Sequence, residues 1–188
     1  MCLVINKKSR VCPLERAGGL DNKLRRLLQN PRKILGPYIR EGMVVLDLGC
    51  GPGFFSIDLA HMVGKSGRVI ACDVQEGMLQ KLSGKIEGTD HEQRIILCRG
   101  QEDRIGISER VDFVLAFYMA HEVSDQSQLF TEIAAILRPN GQVLVVEPRF
   151  HVSLEKFEEI IRLARGAGFV PTKMPKIFLS NSVMLEMC

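Results

Sequence analysis

No apolar run in this sequence approaches the roughly 20 residues that a membrane-spanning helix needs. No two cysteines form a Cys-x-x-Cys pair, and there is no internal repeat or low-complexity tract. The first absence argues against a helical membrane span. The opening Met1-Cys2-Leu3-Val4-Ile5-Asn6-Lys7-Lys8 has an apolar patch too short for a secretory signal, with its lysines on the wrong side. The second leaves Cys2, Cys12, Cys50, Cys72, Cys98 and Cys188 reading as free thiols of a reducing compartment, with Cys50, Cys72 and Cys98 at or near expected strand ends, where a small thiol packs like an apolar residue. The third argues against a stacked-repeat architecture. A cytoplasmic protein with no membrane partner and no metal site is expected.

What is present suits one domain. A chain of 188 residues with 46% hydrophobic and 25% charged residues can bury one sizeable core. The net charge of +3 is mild but uneven, since positions 1–40 hold ten Lys/Arg against Glu15 and Asp21. No basic run is long, so a solvated helical arm is the expectation rather than a nucleic-acid footprint. Within this arm Asp21 can cap a helix bearing Leu24, Leu27 and Leu28. Asn30-Pro31 can start another through Ile34 and Leu35, interrupted at Gly36-Pro37. The arm (1–41) is expected to lie across a ligand site as a lid.

From residue 42 onward strands and helices alternate. Strands are expected at 43–48, 67–73, 94–98, 111–117 and 142–147, and helices at 54–63, 75–87, 125–137 and 153–165. This is the signature of right-handed βαβ units and a parallel sheet covered on both faces. Segments 169–173 and 182–187 read as strands with no room for a helix between them, so they should pair antiparallel. In such a sheet ligands lie beyond the carboxyl ends of the strands.

The stretch that organises this domain is Val44-Val45-Leu46-Asp47-Leu48-Gly49-Cys50-Gly51-Pro52-Gly53-Phe54-Phe55-Ser56, a buried strand, a glycine turn and a helix start. A dinucleotide fingerprint would place its third glycine at Phe54 or Ser56, and neither is glycine. Asp47 also suits a ligand carrying a positive amino group better than one carrying a pyrophosphate. Twenty residues after Gly53, Asp73 ends the second strand, where a carboxylate can accept bonds from the vicinal hydroxyls of a ribose. Val74 and Met78 can then flank an adenine.

The Asp-x-Gly-x-Gly-x-Gly stretch resembles motif I of the class I S-adenosylmethionine-dependent methyltransferases, and the likeness covers roughly residues 42–188. The resemblance implies a three-layer, Rossmann-like α/β fold, with a seven-stranded, mostly parallel sheet ending in an antiparallel hairpin. It implies S-adenosyl-L-methionine bound by Asp47, Gly49, Cys50, Gly51, Gly53, Asp73, Val74 and Met78, with S-adenosyl-L-homocysteine as product. It further places Gln101 and Glu102, with Asp103 as fallback, at the adenine, and Phe117 in the segment lining the cofactor's amino acid portion. The Asp-Pro-Pro-Tyr and Asn-Pro-Pro-Tyr motifs of amino-methylating nucleic-acid enzymes are absent.

Methyl transfer from a sulfonium is an in-line displacement, so the protein mainly aligns and desolvates the reactants, and a base is required only for an acceptor that keeps its proton. His121 and Glu122 follow the fourth strand; Glu147, Arg149 and His151 follow the fifth. His121, Glu122 and His151 are the catalytic candidates, His121 foremost, with helix capping and backbone bonding the alternative for all of them. Tyr38, Phe117, Tyr118 and Phe150 can offer an aromatic wall. With no separate substrate domain, a small acceptor is expected, in a shallow groove that a second subunit could complete. The competing readings are a dinucleotide oxidoreductase, an RNA or protein methyltransferase guided by the basic arm, and a catalytically silent cofactor-binding subunit.

Overall fold

The computed structural model describes residues 23–101 and 104–188. The expected Asp21 cap and the adenine candidates Glu102 and Asp103 lie outside the described residues. Two short helices, α1 (Lys23–Leu28) and α2 (Pro31–Leu35), precede the sheet. Asn30 caps α2 by accepting a bond from the Lys33 amide, and Pro31 takes the first helical position, where a missing N–H costs nothing.

The elements then alternate: β1 (Val44–Leu48), α3 (Ser56–Met62), β2 (Arg68–Asp73), α4 (Glu76–Ile86), β3 (Ile95–Arg99), β4 (Val111–Phe117), a 3₁₀ turn (Ala120–Glu122), α5 (Gln126–Ile136), β5 (Leu137–Pro148), α6 (Leu154–Gly166), β6 (Phe169–Lys173) and β7 (Ser180–Met187). The seven strands form one sheet in the order β3-β2-β1-β4-β5-β7-β6. Leu35, Leu59 and Leu82 from α2, α3 and α4 fill one face, and Phe130, Ile133 and Phe157 from α5 and α6 fill the other. Because both faces are covered, β1 is buried along its whole length. The strand order reverses between β1 and β4, which opens a crevice beyond their carboxyl ends.

The chain departs from expectation in two places. The extended segment of β5 begins at Leu137 rather than 142, pairing with Val111 before the register shifts toward Phe113. Pro139 explains this, because the residue before a proline is pushed out of the helical region; Asn140, at φ +64°, then makes the bend. The terminal pair is also more than a hairpin laid on the edge. Strand β7 inserts between β5 and β6, antiparallel to both, so it alone is reversed and β6 runs with the parallel set. The register Pro148↔Ser180 puts the 174–179 loop at the carboxyl rim of the sheet.

Candidate active site

The glycine turn is pinned to the neighbouring strand, because the Gly49 and Cys50 amides both donate to the Cys72 carbonyl at 2.8 and 3.0 Å. Gly49, Gly51 and Gly53 all have positive φ (72°, 55° and 86°), a region that side chains disfavour. The three differ in what surrounds them. A Cβ on Gly49 would meet Met119 at 2.7 Å and one on Gly53 would meet Leu82 at 2.3 Å, whereas one on Gly51 would meet nothing within 4 Å. Gly49 and Gly53 therefore permit close packing, and Gly51 leaves main chain open to a ligand.

Asp73 bridges this turn to the start of α4. Its carboxylate accepts from the Gly51 amide at 2.9 Å and the Gln75 amide at 2.8 Å. Burial raises its pKa, and the backbone donors of Gln75, Gly51 and Val74 offset part of that rise. Asp47 is 2% exposed and accepts a bond from Ser56 Oγ at 2.6 Å. Its pKa is pushed up to about 7, chiefly by burial; the Ser56 bond works against this, the Asp73 charge adds to it and Arg25 lowers it. Two acids end two adjacent strands beside an open glycine, an arrangement suited to a ligand bearing hydroxyls and a positive group.

A cleft of about 1380 Å³ gathers most of the expected cofactor residues: Asp47, Gly49, Cys50, Gly51, Asp73, Val74, Met78, Gln101 and Phe117. Gly53 faces Leu82 instead. The Cys50 and Cys72 thiols are pushed far up by burial, so they serve as neutral walls. Cavity and donor set fit an adenosyl amino acid: a carboxylate for ribose hydroxyls, an exposed backbone turn, and a buried acid for an ammonium.

The catalytic candidates separate. Glu122 lines the cleft. His121 turns toward the end of β5, where its backbone amide and its Nδ1 reach the two oxygens of Glu147 at 3.1 and 2.5 Å. Glu147 is fully buried. Burial pulls the His121 pKa down, but the bond to and charge of Glu147, with the Glu122 charge, more than reverse this, so the net shift is upward. His151 is exposed, its ring centroid 4.9 Å from that of His121. Among the described residues no three His, Cys, Asp or Glu side chains gather as a metal would need.

Three participants escaped the sequence. Ser56 reads as a helix start, yet its hydroxyl holds Asp47. Arg25 reads as one charge of a basic arm, yet it lines the cleft. Tyr118 reads as one aromatic among several. It sits at φ +62°, a strained position for a bulky side chain, and its hydroxyl bonds Ser180 Oγ at 2.7 Å. Positive φ at a tyrosine has no local sequence signal; the Ser180 partner is 62 residues away.

Comparison with known proteins agrees with this fold. Residues 45–141 match the methyltransferase-domain family. A demethylmenaquinone methyltransferase from Lactobacillus johnsonii is 34% identical over 110 residues, 58% of this chain and 45% of that one. Another, from Lactococcus lactis, is 29% identical over 123 residues, 65% of this chain and 48% of that one. The match thus spans about half the length of these relatives. A SAM-dependent methyltransferase from Aquifex aeolicus superposes with a TM-score of 0.85 at 25% identity, over 95% of this chain and 100% of that one. Fibrillarin from Aeropyrum pernix, crystallised with natively bound S-adenosyl-L-methionine, shares the fold at a TM-score of 0.65 and 15% identity, over 84% and 73% of the two chains. The chain belongs to the methyltransferase-domain family, and its sheet has the class I, Rossmann-like architecture.

Proposed function

We propose that this enzyme methylates a hydroxyl-bearing small molecule docked over the carboxyl ends of β4 and β5, with His121 as general base. The observation that carries this reading is the His121–Glu147 pair, a half-buried imidazole in the turn after β4 bonded to a fully buried carboxylate at the end of β5. When bound, S-adenosyl-L-methionine supplies an electrophilic methyl group on a sulfonium. Around it Asp73 takes the ribose hydroxyls, Gly51 gives backbone access, and Val74, Met78 and Gln101 border the adenine.

A carboxylate can only accept, so Nδ1 of His121 carries the hydrogen of the Glu147 bond and Nε2 is left able to take a proton. Glu147 fixes the tautomer and the ring plane and stabilises the imidazolium that forms. Glu122 and His151 flank the acceptor. The relatives are named for demethylmenaquinone, a quinone that becomes a hydroxylated aromatic on two-electron reduction, so hydroquinones and phenols are the acceptors to screen first. The free, buried Cys50 and Cys72 thiols support a cytosolic setting. Replacing His121 by alanine should leave S-adenosylhomocysteine affinity within about twofold and lower turnover by roughly 10²- to 10⁴-fold. Unchanged turnover removes His121 from the chemistry.

A further inference from the structure

Twelve large apolar side chains are exposed among the described residues, and six of them belong to the carboxyl rim of the sheet: Leu27, Leu28, Phe150, Leu154, Phe178 and Leu179. Three stretches of chain meet there. The 174–179 loop joins the end of β5, where the Arg149 amide donates to the Leu179 carbonyl at 3.0 Å. The same loop joins α1 through Gln29 Nε2, which donates to the Phe178 carbonyl at 3.3 Å and to the Tyr118 hydroxyl at 2.5 Å. Phe150 directly follows Arg149, and Leu154 opens α6. Leu27 is 78% exposed and Phe150 77%, so they project from the rim rather than line a groove. Scattered exposed apolar residues are ordinary on a protein surface, whereas half of them gathered at one end mark a surface that something covers.

The two loops of this rim are also basic. Residues 149–156 and 173–179 carry Arg149, Lys156, Lys173 and Lys176, all exposed, against the single acid Glu155. We propose that the rim docks the protein peripherally on an anionic lipid surface, with its apolar side chains at the acyl boundary and its four bases over the headgroup phosphates. A bilayer surface offers both complements at once, apolar depth beneath a layer of negative charge. A second copy of the chain fits poorly, because a twofold contact would set the basic loops against themselves. A partner's groove fits poorly as well, since the apolar groups protrude from three separate stretches of chain instead of forming one helical face or strand. Docking in this way turns the ends of β4 and β5, with His121 and His151, toward the headgroup layer.

Docking of this kind requires neither cofactor nor acceptor, so it is tested on the whole chain alone, by flotation with vesicles of phosphatidylcholine and of phosphatidylcholine mixed with phosphatidylglycerol. Binding to the mixed vesicles should exceed that to the neutral ones by about tenfold or more and should fall as salt is raised. Phe150→Ser and Phe178→Ser should each weaken it by about tenfold, and Lys176→Glu by a similar factor. Ile96→Ser, at an equally exposed apolar position on the opposite edge strand β3, should leave it unchanged. All four positions are exposed, so the variants should keep the wild-type melting temperature. No flotation with the mixed vesicles, equal binding to both kinds, or rim variants that bind like the wild type overturn the proposal. So does a stable dimer in sedimentation that Phe150→Ser dissociates, because the rim would then belong to a second copy.

Discussion

His121 sits at the end of β4 with Glu147 buried behind it, and its protonation gives the proposed chemistry a pH signature. Its pKa lies above the ordinary 6.5, and a base must be unprotonated to act. The kcat/KM profile should therefore rise with pH through a midpoint above 6.5. In Glu147→Gln, burial is left with less opposition and the midpoint should move to lower pH. A midpoint unmoved by that change would separate Glu147 from the base. Folding stability runs the other way: a raised histidine pKa contributes stability that is fully present below the unfolded value and is lost as pH rises through the folded one. The glycines provide a second residue-level check. Gly53→Ala forces a Cβ to 2.3 Å from Leu82 at φ +86° and should lower the melting temperature markedly. Gly51→Ala meets only backbone strain, about 1–2 kcal/mol, and should instead weaken S-adenosylhomocysteine binding. Equal effects of the two on binding would remove the distinction. The sequence marks all three glycines alike, because spacing reports that a turn exists; which glycine faces ligand depends on Met119 and Leu82 arriving from other elements.

The α1–α2 arm is held to the sheet domain partly by charge, since Asp58 on α3 receives both Arg26 and Arg32. Asp58 is nearly buried while Arg26 is half-buried and Arg32 exposed, so the pairing contributes modestly to global stability. If α1 acts as a lid, its larger effect should be on how closely α1 is held over the cleft. Asp58→Ala should speed S-adenosylhomocysteine release in stopped-flow displacement while shifting the melting temperature by only a few degrees. An unchanged release rate would mean that α1 does not gate the cleft. Element boundaries were mostly legible, because the β-rich apolar runs and the Asn30-Pro31 and Gly166 punctuation act locally. What was illegible came from pairing at a distance. The early start of β5 depends on Val111, and the insertion of β7 depends on seven partners along β5.

Taken as a whole, the molecule is one sheet with two cores, one on each face, and the candidate site lies where its strand order reverses. This much follows from the alternation of strand and helix and from the glycine motif with its two acids. Residues of β1, β2 and β4 line the one cleft, so cofactor binding should stabilise a single cooperative transition, by about 2.7 kcal/mol at a hundredfold excess over Kd. The side of the cleft formed by α1 was not readable, because Arg25 comes to lie over Phe54, Phe117 and Tyr118 only in the assembled fold. The most direct test of the account is calorimetric titration of S-adenosylhomocysteine into the wild-type protein and Asp73→Ala. The account predicts saturable 1:1 binding by the wild type and at least a roughly tenfold loss in the variant, as removal of a charge-assisted acceptor entails. No binding at millimolar ligand, or equal affinity of the two proteins, would contradict it.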